Sequence, residues 1–183
     1  MKNRFKFLPA LLIVASLISC GDDDTPVQIN EDELITTVEY EMINTADASN
    51  VVTFRQVDND ADGPNPPIIN ITGTIQANAT YTGSVRFLNE LDSPVDNITL
   101  EVQEEADEHE VFYGVNTAGV SIVKTDTDGN GNPLGLNTSI TTGAVGSGNL
   151  TITLIHEPIK PNNGLTSAGG EADVVASFDF DVQ

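Results

Sequence analysis

One cysteine, no tryptophan, and seven basic residues against 28 acidic ones set the first limits on this 183-residue chain. With Cys20 alone there is no intrachain disulfide, no C-x-x-C redox pair and no cysteine zinc cluster. Without tryptophan, and with three tyrosines, an exposed aromatic platform for carbohydrate is poorly supplied. The net charge of −21 repels phosphate, which excludes nucleic acid and anionic lipopolysaccharide as ligands. No apolar run is long enough to cross a hydrocarbon layer ~30 Å thick as a helix. Catalytic signatures are missing too: there is no G-x-S-x-G elbow, P-loop or H-E-x-x-H. Ser84 and Ser121 lie in strand-like segments with no evident histidine partner. In a chain this acidic, adjacent carboxylates arise from composition alone. The chain therefore reads as a non-enzyme.

What is present begins at the N-terminus. Lys2, Arg4 and Lys6 precede an apolar stretch, Phe7 to Leu17, interrupted only by Pro9 and Ser16. That is the layout of an export signal. It ends in Leu17-Ile18-Ser19-Cys20, which resembles the lipobox of bacterial lipoproteins. The resemblance implies cleavage after Ser19 and a thioether between Cys20 and diacylglycerol. More than one acyl chain, at ~0.8 kcal/mol per buried CH₂, makes such an anchor stable. The acidic run Gly21-Asp22-Asp23-Asp24 resembles the surface-export signals of Bacteroidetes lipoproteins. The expected division is a signal peptide over 1–19, a lipidated acidic tether over 20–30 and one folded domain over 31–183. Once the signal leaves, Arg55, Arg86, Lys124 and Lys160 stand against all 28 acidic residues, a net charge of −24. Such a surface attracts divalent cations and basic partners.

Beyond residue 31 the dominant signal is period-two alternation. In Glu33 to Met42, Leu34, Thr36, Val38, Tyr40 and Met42 share one face, with Glu33, Glu39 and Glu41 on the other. Further strands are expected over 50–57, 68–75, 80–88, 110–115, 119–125, 134–142, 149–156 and 172–182. The last of these places Val174, Ala176, Phe178, Phe180 and Val182 inward, with Asp173, Asp179 and Asp181 outward. Turn chemistry separates them, as in Gly63-Pro64-Asn65-Pro66-Pro67 and Asp128-Gly129-Asn130-Gly131. About nine strands so spaced predict a mainly β fold, a single antiparallel β-sandwich or related barrel. Ser93-Pro94-Val95-Asp96 matches a helix-capping box. Val95, Ile98, Val102 and Ala106 follow at helical spacing, so one short helix is predicted over 94–107.

Two clusters carry ligand chemistry. Asp58, Asp60 and Asp62 alternate before Gly63, the spacing by which calcium loops converge carboxylates. The twelfth position is Ile69, not the glutamate of an EF-hand, so a looser calcium-binding β-loop is the functional reading and a loop of Asx-turns the plain one. Asp126-Thr127-Asp128-Gly129 is a weaker copy. No cofactor is firmly implied; calcium is the candidate. The chain has two histidines, His109 in an acidic run and His156 at the end of an inward-facing row. Should their strands be neighbours, two imidazoles with a carboxylate would suit a first-row metal, or two imidazoles a haem iron. The alternative is that they are unrelated.

Asp62-Gly63-Pro64-Asn65-Pro66-Pro67, Glu104-Glu105-Ala106-Asp107-Glu108-His109, His156-Glu157-Pro158 and Ala168-Gly169-Gly170-Glu171-Ala172-Asp173 together resemble a family of small acidic flavobacterial lipoproteins. The resemblance spans most of the chain after Cys20 and implies no activity and no catalytic residues. The name "type 1 periplasmic binding fold", sometimes given to such chains, does not fit, because the alternating helices of two α/β lobes are lacking. The sequence thus predicts a lipid-anchored outer-membrane protein, at the cell surface or facing the periplasm, with a binding or structural role. The alternative is a metal- or haem-capturing accessory to an outer-membrane uptake receptor.

Overall fold

In the computed structural model, residues 34–60, 63–117 and 119–183 are described. Nine strands among them form two antiparallel sheets. The larger sheet has the order β3-β2-β1-β4-β7-β6. Its strands are β1 (Thr37–Asn44), β2 (Val51–Val57), β3 (Ile68–Thr72), β4 (Thr80–Leu88), β6 (Ser121–Lys124) and β7 (Asn137–Thr141). The smaller sheet is β5-β8-β9, made of β5 (His109–Val115), β8 (Gly146–His156) and β9 (Glu171–Val182). Two short helices, α1 (Thr99–Glu104) and α2 (Leu165–Ala168), complete the elements. The mainly β, antiparallel sandwich expected from the alternation is what the chain forms.

Alternation sends one face of each strand into the space between the sheets. Val38, Tyr40 and Met42 of β1 meet Val52 and Phe54 of β2 there, with Val85 and Phe87 of β4 alongside. The small sheet contributes Val111, Leu150, Ile152, Leu154, Ala176 and Phe178. Phe54 packs edge-on against Phe178 and Phe180, with ring centroids 5.5 and 6.1 Å away. Tyr40 bonds Thr138 Oγ1 at 2.7 Å through its hydroxyl, so its polar end is satisfied inside the core. That pair needs Gly83: a Cβ there would lie 2.4 Å from Thr138 Oγ1 and 2.5 Å from the Tyr40 hydroxyl.

The sandwich is stitched along both open sides, which brings it towards a barrel. On one side the buried Gln56 amide acts as a peptide surrogate. Its Nε2 donates to Val175 O (3.2 Å) and its Oε1 accepts from Ser177 N (3.3 Å), tying β2 to β9. Gln183 and Ala77 continue this seam: Gln183 N donates to Ile75 O and Ala77 N to Gln183 O, both at 2.8 Å. On the other side Val111 N donates to Leu134 O, and the Tyr113 hydroxyl donates to Gly135 O, each at 2.8 Å.

Two local expectations need correction. The capping box at Ser93 caps nothing. Asn89 and Asp96 exchange backbone hydrogen bonds of 3.0 and 3.1 Å, which closes residues 89–96 into a loop and delays the helix. α1 therefore starts at Thr99, has no side-chain cap and is six residues long. The Thr99 hydroxyl instead receives Phe87 N (2.8 Å) and donates to Phe87 O (3.2 Å). Ile98 and Val102 are buried and Ala106 packs beside them, so the helical spacing holds from residue 98 onward. The second correction is Asp173. It does not face outward, because β9 carries a bulge opposite Leu154 and Ile155. Leu154 pairs with Val174 and Ile155 with Ala172, leaving Asp173 as the extra residue, and the bulge re-aims its side chain.

Candidate functional site

Two features of the small sheet gather polar side chains, one on its outer face and one at its end.

On the outer face, β5 presents Glu110, Phe112 and Gly114, opposite Ile155, Thr153 and Thr151 of β8 in the ladder. Residues 157–170 fold back over this face. Glu157, at φ 50°, starts the reversal. Gly170, at φ 72°, ends it where a Cβ would lie 2.2 Å from His156 O. The flap is pinned by Ala168, buried with Phe112 and Ile155, and by Ile159 N bonding Ala168 O at 2.6 Å. Between the flap and β6 runs a groove of about 500 Å³, lined by Phe112, Gly114, Lys124, Thr151, Thr153 and Leu165 among others.

A buried ion pair fixes the groove's wall. Glu110 is 3 % exposed. Its carboxylate accepts from Lys124 Nζ at 2.5 Å and from Asn162 Nδ2 at 2.6 Å, joining β5, β6 and the flap. Lys124 Nζ also sits 4.1 Å from the Phe112 ring centroid, a cation–π contact. Burial pulls the Lys124 ammonium below the usual lysine range, while the bond and charge of Glu110 oppose that pull. Nearby, Lys160 Nζ donates to Ala106 O (2.7 Å), His109 O (2.5 Å) and Asp128 Oδ2 (3.3 Å).

At the sheet's end the ladder sets His109 directly opposite His156. Their rings stack, with centroids 4.8 Å apart and planes 12° from parallel. His109 Nδ1 lies 3.2 Å from Glu105 O. A carbonyl only accepts, so this nitrogen carries the proton, and in the neutral ring Nε2 holds the lone pair. Asp173 Oδ2, turned in by the bulge, is 3.9 Å from that Nε2. Burial lowers the His109 pKa first; the His156 and Lys160 charges add to this, against the Glu105 bond and charge. The two histidines therefore do meet, with a carboxylate beside them. Parallel rings point their in-plane lone pairs alongside each other rather than at one centre. An ion ~2.0–2.1 Å from both would need one ring to turn. Among the described residues, no group of three His, Cys, Asp or Glu is placed to hold a metal ion.

The acidic loops are largely occupied by their own backbone. Asp60 Oδ2 accepts from Asn65 N (3.2 Å) and Asn65 Nδ2 (2.6 Å), and these bonds hold the Asp60 carboxyl below the usual range. Asp58 Oδ1 accepts from Asp60 N at 3.4 Å. Asp62 and Cys20 lie outside the described residues. In the second loop, Asp128 Oδ1 accepts from Asn130 N (2.9 Å) and Asn132 N (2.8 Å), and the cation beside it is Lys160. Asp126 accepts from Gly135 N (2.8 Å) and Asn137 N (3.0 Å). No helix among the described residues is long and apolar enough to cross a membrane.

No family model, curated protein or solved structure matches the chain.

The sequence reading missed Glu110, Lys124, Asn162, Lys160 and Asp173. For the lysines a signal existed: only four basic residues follow Cys20. All four are ion-paired. Arg55 bonds Glu39 and Glu90, Arg86 bonds Glu39, Lys124 bonds Glu110 and Lys160 bonds Asp128.

Proposed function

We propose that this chain is a lipid-anchored, non-catalytic binding module, tethered through Cys20 at the outer membrane. Its recognition site is the groove on the outer face of the small sheet. The observation that carries this reading is the groove itself: a concavity of about 500 Å³ combining the Phe112 ring, the Thr151 and Thr153 hydroxyls and a polar wall held by the Glu110–Lys124 pair. Ligand sites are concave, mostly preformed and lined by apolar surface with a few fixed polar groups. Because Glu110 and Lys124 neutralise each other, the groove suits an uncharged polar ligand better than an ion. The test is a screen of neutral polar fragments by amide chemical-shift mapping on the full chain. Hits should move Gly114, Thr151 and Thr153; hits scattered elsewhere would retire the groove. Anchoring is read separately: Cys20→Ala should leave the membrane fraction.

A second reading, capture of a transition metal or haem beside an uptake receptor, draws support from the contact of His109, His156 and Asp173. Titration of the full chain with zinc or haemin, compared with His156→Ala, tests it.

A further inference from the structure

β3 is an edge strand, and its free side pairs with no strand among the described residues. Native sheets usually protect such edges with charge, a bulge or a covering element. Among the described residues, none of these protects this edge along Ile68–Thr72. It lies within twenty-three consecutive residues, Gly63 to Val85, that carry no charged side chain, in a chain with 28 acidic residues. Two of its five residues are large, apolar and open to solvent: Ile68 is 68 % exposed and Ile69 42 %. The ladder gives the reason. Ile69 pairs with Gln56 and Ile71 with Phe54, both buried, so Ile69 and Ile71 face the inner side of the large sheet. The small sheet is held over β2 by the Gln56 bridge to β9, and β3 overhangs it.

We infer that β3 is a docking edge for a second copy of this chain, the two strands pairing antiparallel about a two-fold axis near Asn70. An extended backbone is what a row of unmatched N–H and C=O groups accepts, and a two-fold makes one edge its own complement. With the pairing centred on Asn70, Ile69 of one copy lies opposite Ile71 of the other on the inner side, and Ile68 opposite Thr72 on the outer. Every cross-strand pair is then uncharged. The Asp58–Asp60 loop, at the Ile68 end, meets the uncharged Gly73–Thr74 end of the other copy instead of its twin. Pro66 and Pro67 lack amide protons and close the pairing at that end, fixing its register. A different protein supplying the strand would find no charge here to recognise, which favours self-pairing. The remaining acidic surface repels between copies, so the dimer should strengthen with salt.

The test uses the full chain purified in detergent. Light scattering should give a dimer whose fraction rises from low to high NaCl. Ile69→Lys should weaken it about tenfold, because the two-fold repeats the lost Ile69–Ile71 contact. Val145→Lys, at an exposed valine of another loop, should leave it unchanged. Asn70→Cys should be linked to dimer by a short bis-maleimide and Val145→Cys should not, which reads the edge without an added charge. A monomer at every salt concentration, a dimer indifferent to Ile69→Lys, or a monomer that holds a different protein at this edge would each overturn the inference.

Discussion

Asp173 lies 3.9 Å from His109 because β9 spends one more residue than β8 on crossing the end of the small sheet. Strict alternation would turn this carboxylate to solvent; the bulge brings it to the stacked imidazoles instead.

The first prediction concerns pH. His109 is held below the ordinary imidazole range, chiefly by burial. The groups around it are His156, Asp173, Lys160 and the Glu105 carbonyl. The unfolded chain binds this proton at a higher pH than the folded one. Stability from this residue is therefore complete above about pH 6.5 and is lost as pH falls towards the depressed value. Urea midpoints should decline between pH 7 and pH 5, and His109→Phe should flatten that decline. An equal slope in the variant would show the proton goes elsewhere.

Gly83→Ala tests the core. The added methyl would sit within 2.5 Å of both partners of the Tyr40–Thr138 bond. Overpacking of this kind costs ~1–3 kcal/mol. In a domain of this size that lowers the thermal midpoint by about 2–4 °C per kcal/mol. A shift under about 2 °C would mean the sheet yields there.

Lys160→Ala tests the clamp between the flap, β5 and the Asp128 loop. Both partners are buried, with side-chain exposures of 6 % and 0 %. Removing the cation takes this donor from the Ala106 and His109 carbonyls, while Asp128 keeps its bonds from Asn130 N, Asn132 N and Asn132 Nδ2. A hydrogen-bonded contact to a charged group contributes ~1.5–3 kcal/mol. Differential scanning calorimetry should show a fall of about 5 °C, with hydrogen exchange rising first over residues 157–170. An unchanged midpoint would show that water replaces the ammonium at no cost.

Much of the fold was legible in the sequence because alternation is a local signal. The run from Ala176 to Val182 buries every second residue as read, with Val174 partly buried, and so does Val38 to Met42. The helix was misplaced because the capping box at Ser93 competes with Asn89 and Asp96, whose mutual bonds no periodicity records. The bulge at Asp173 was invisible for the same reason: it is set by the partner strand. The meeting of His109 and His156 was a conditional expectation, resting on which strands become neighbours. The groove left no signal beyond the scarcity of lysine, since Glu110, Lys124 and Asn162 are separated in sequence and meet only through their side chains.

β9 is the longest strand among the described residues, held by β8 along one side and by Gln56 and the Ile75 segment along the other. A force applied at Gln183 would run along its axis and strain these bonds together in shear rather than peel them one by one. Tension at the C-terminus would thus be shared along the whole of β9.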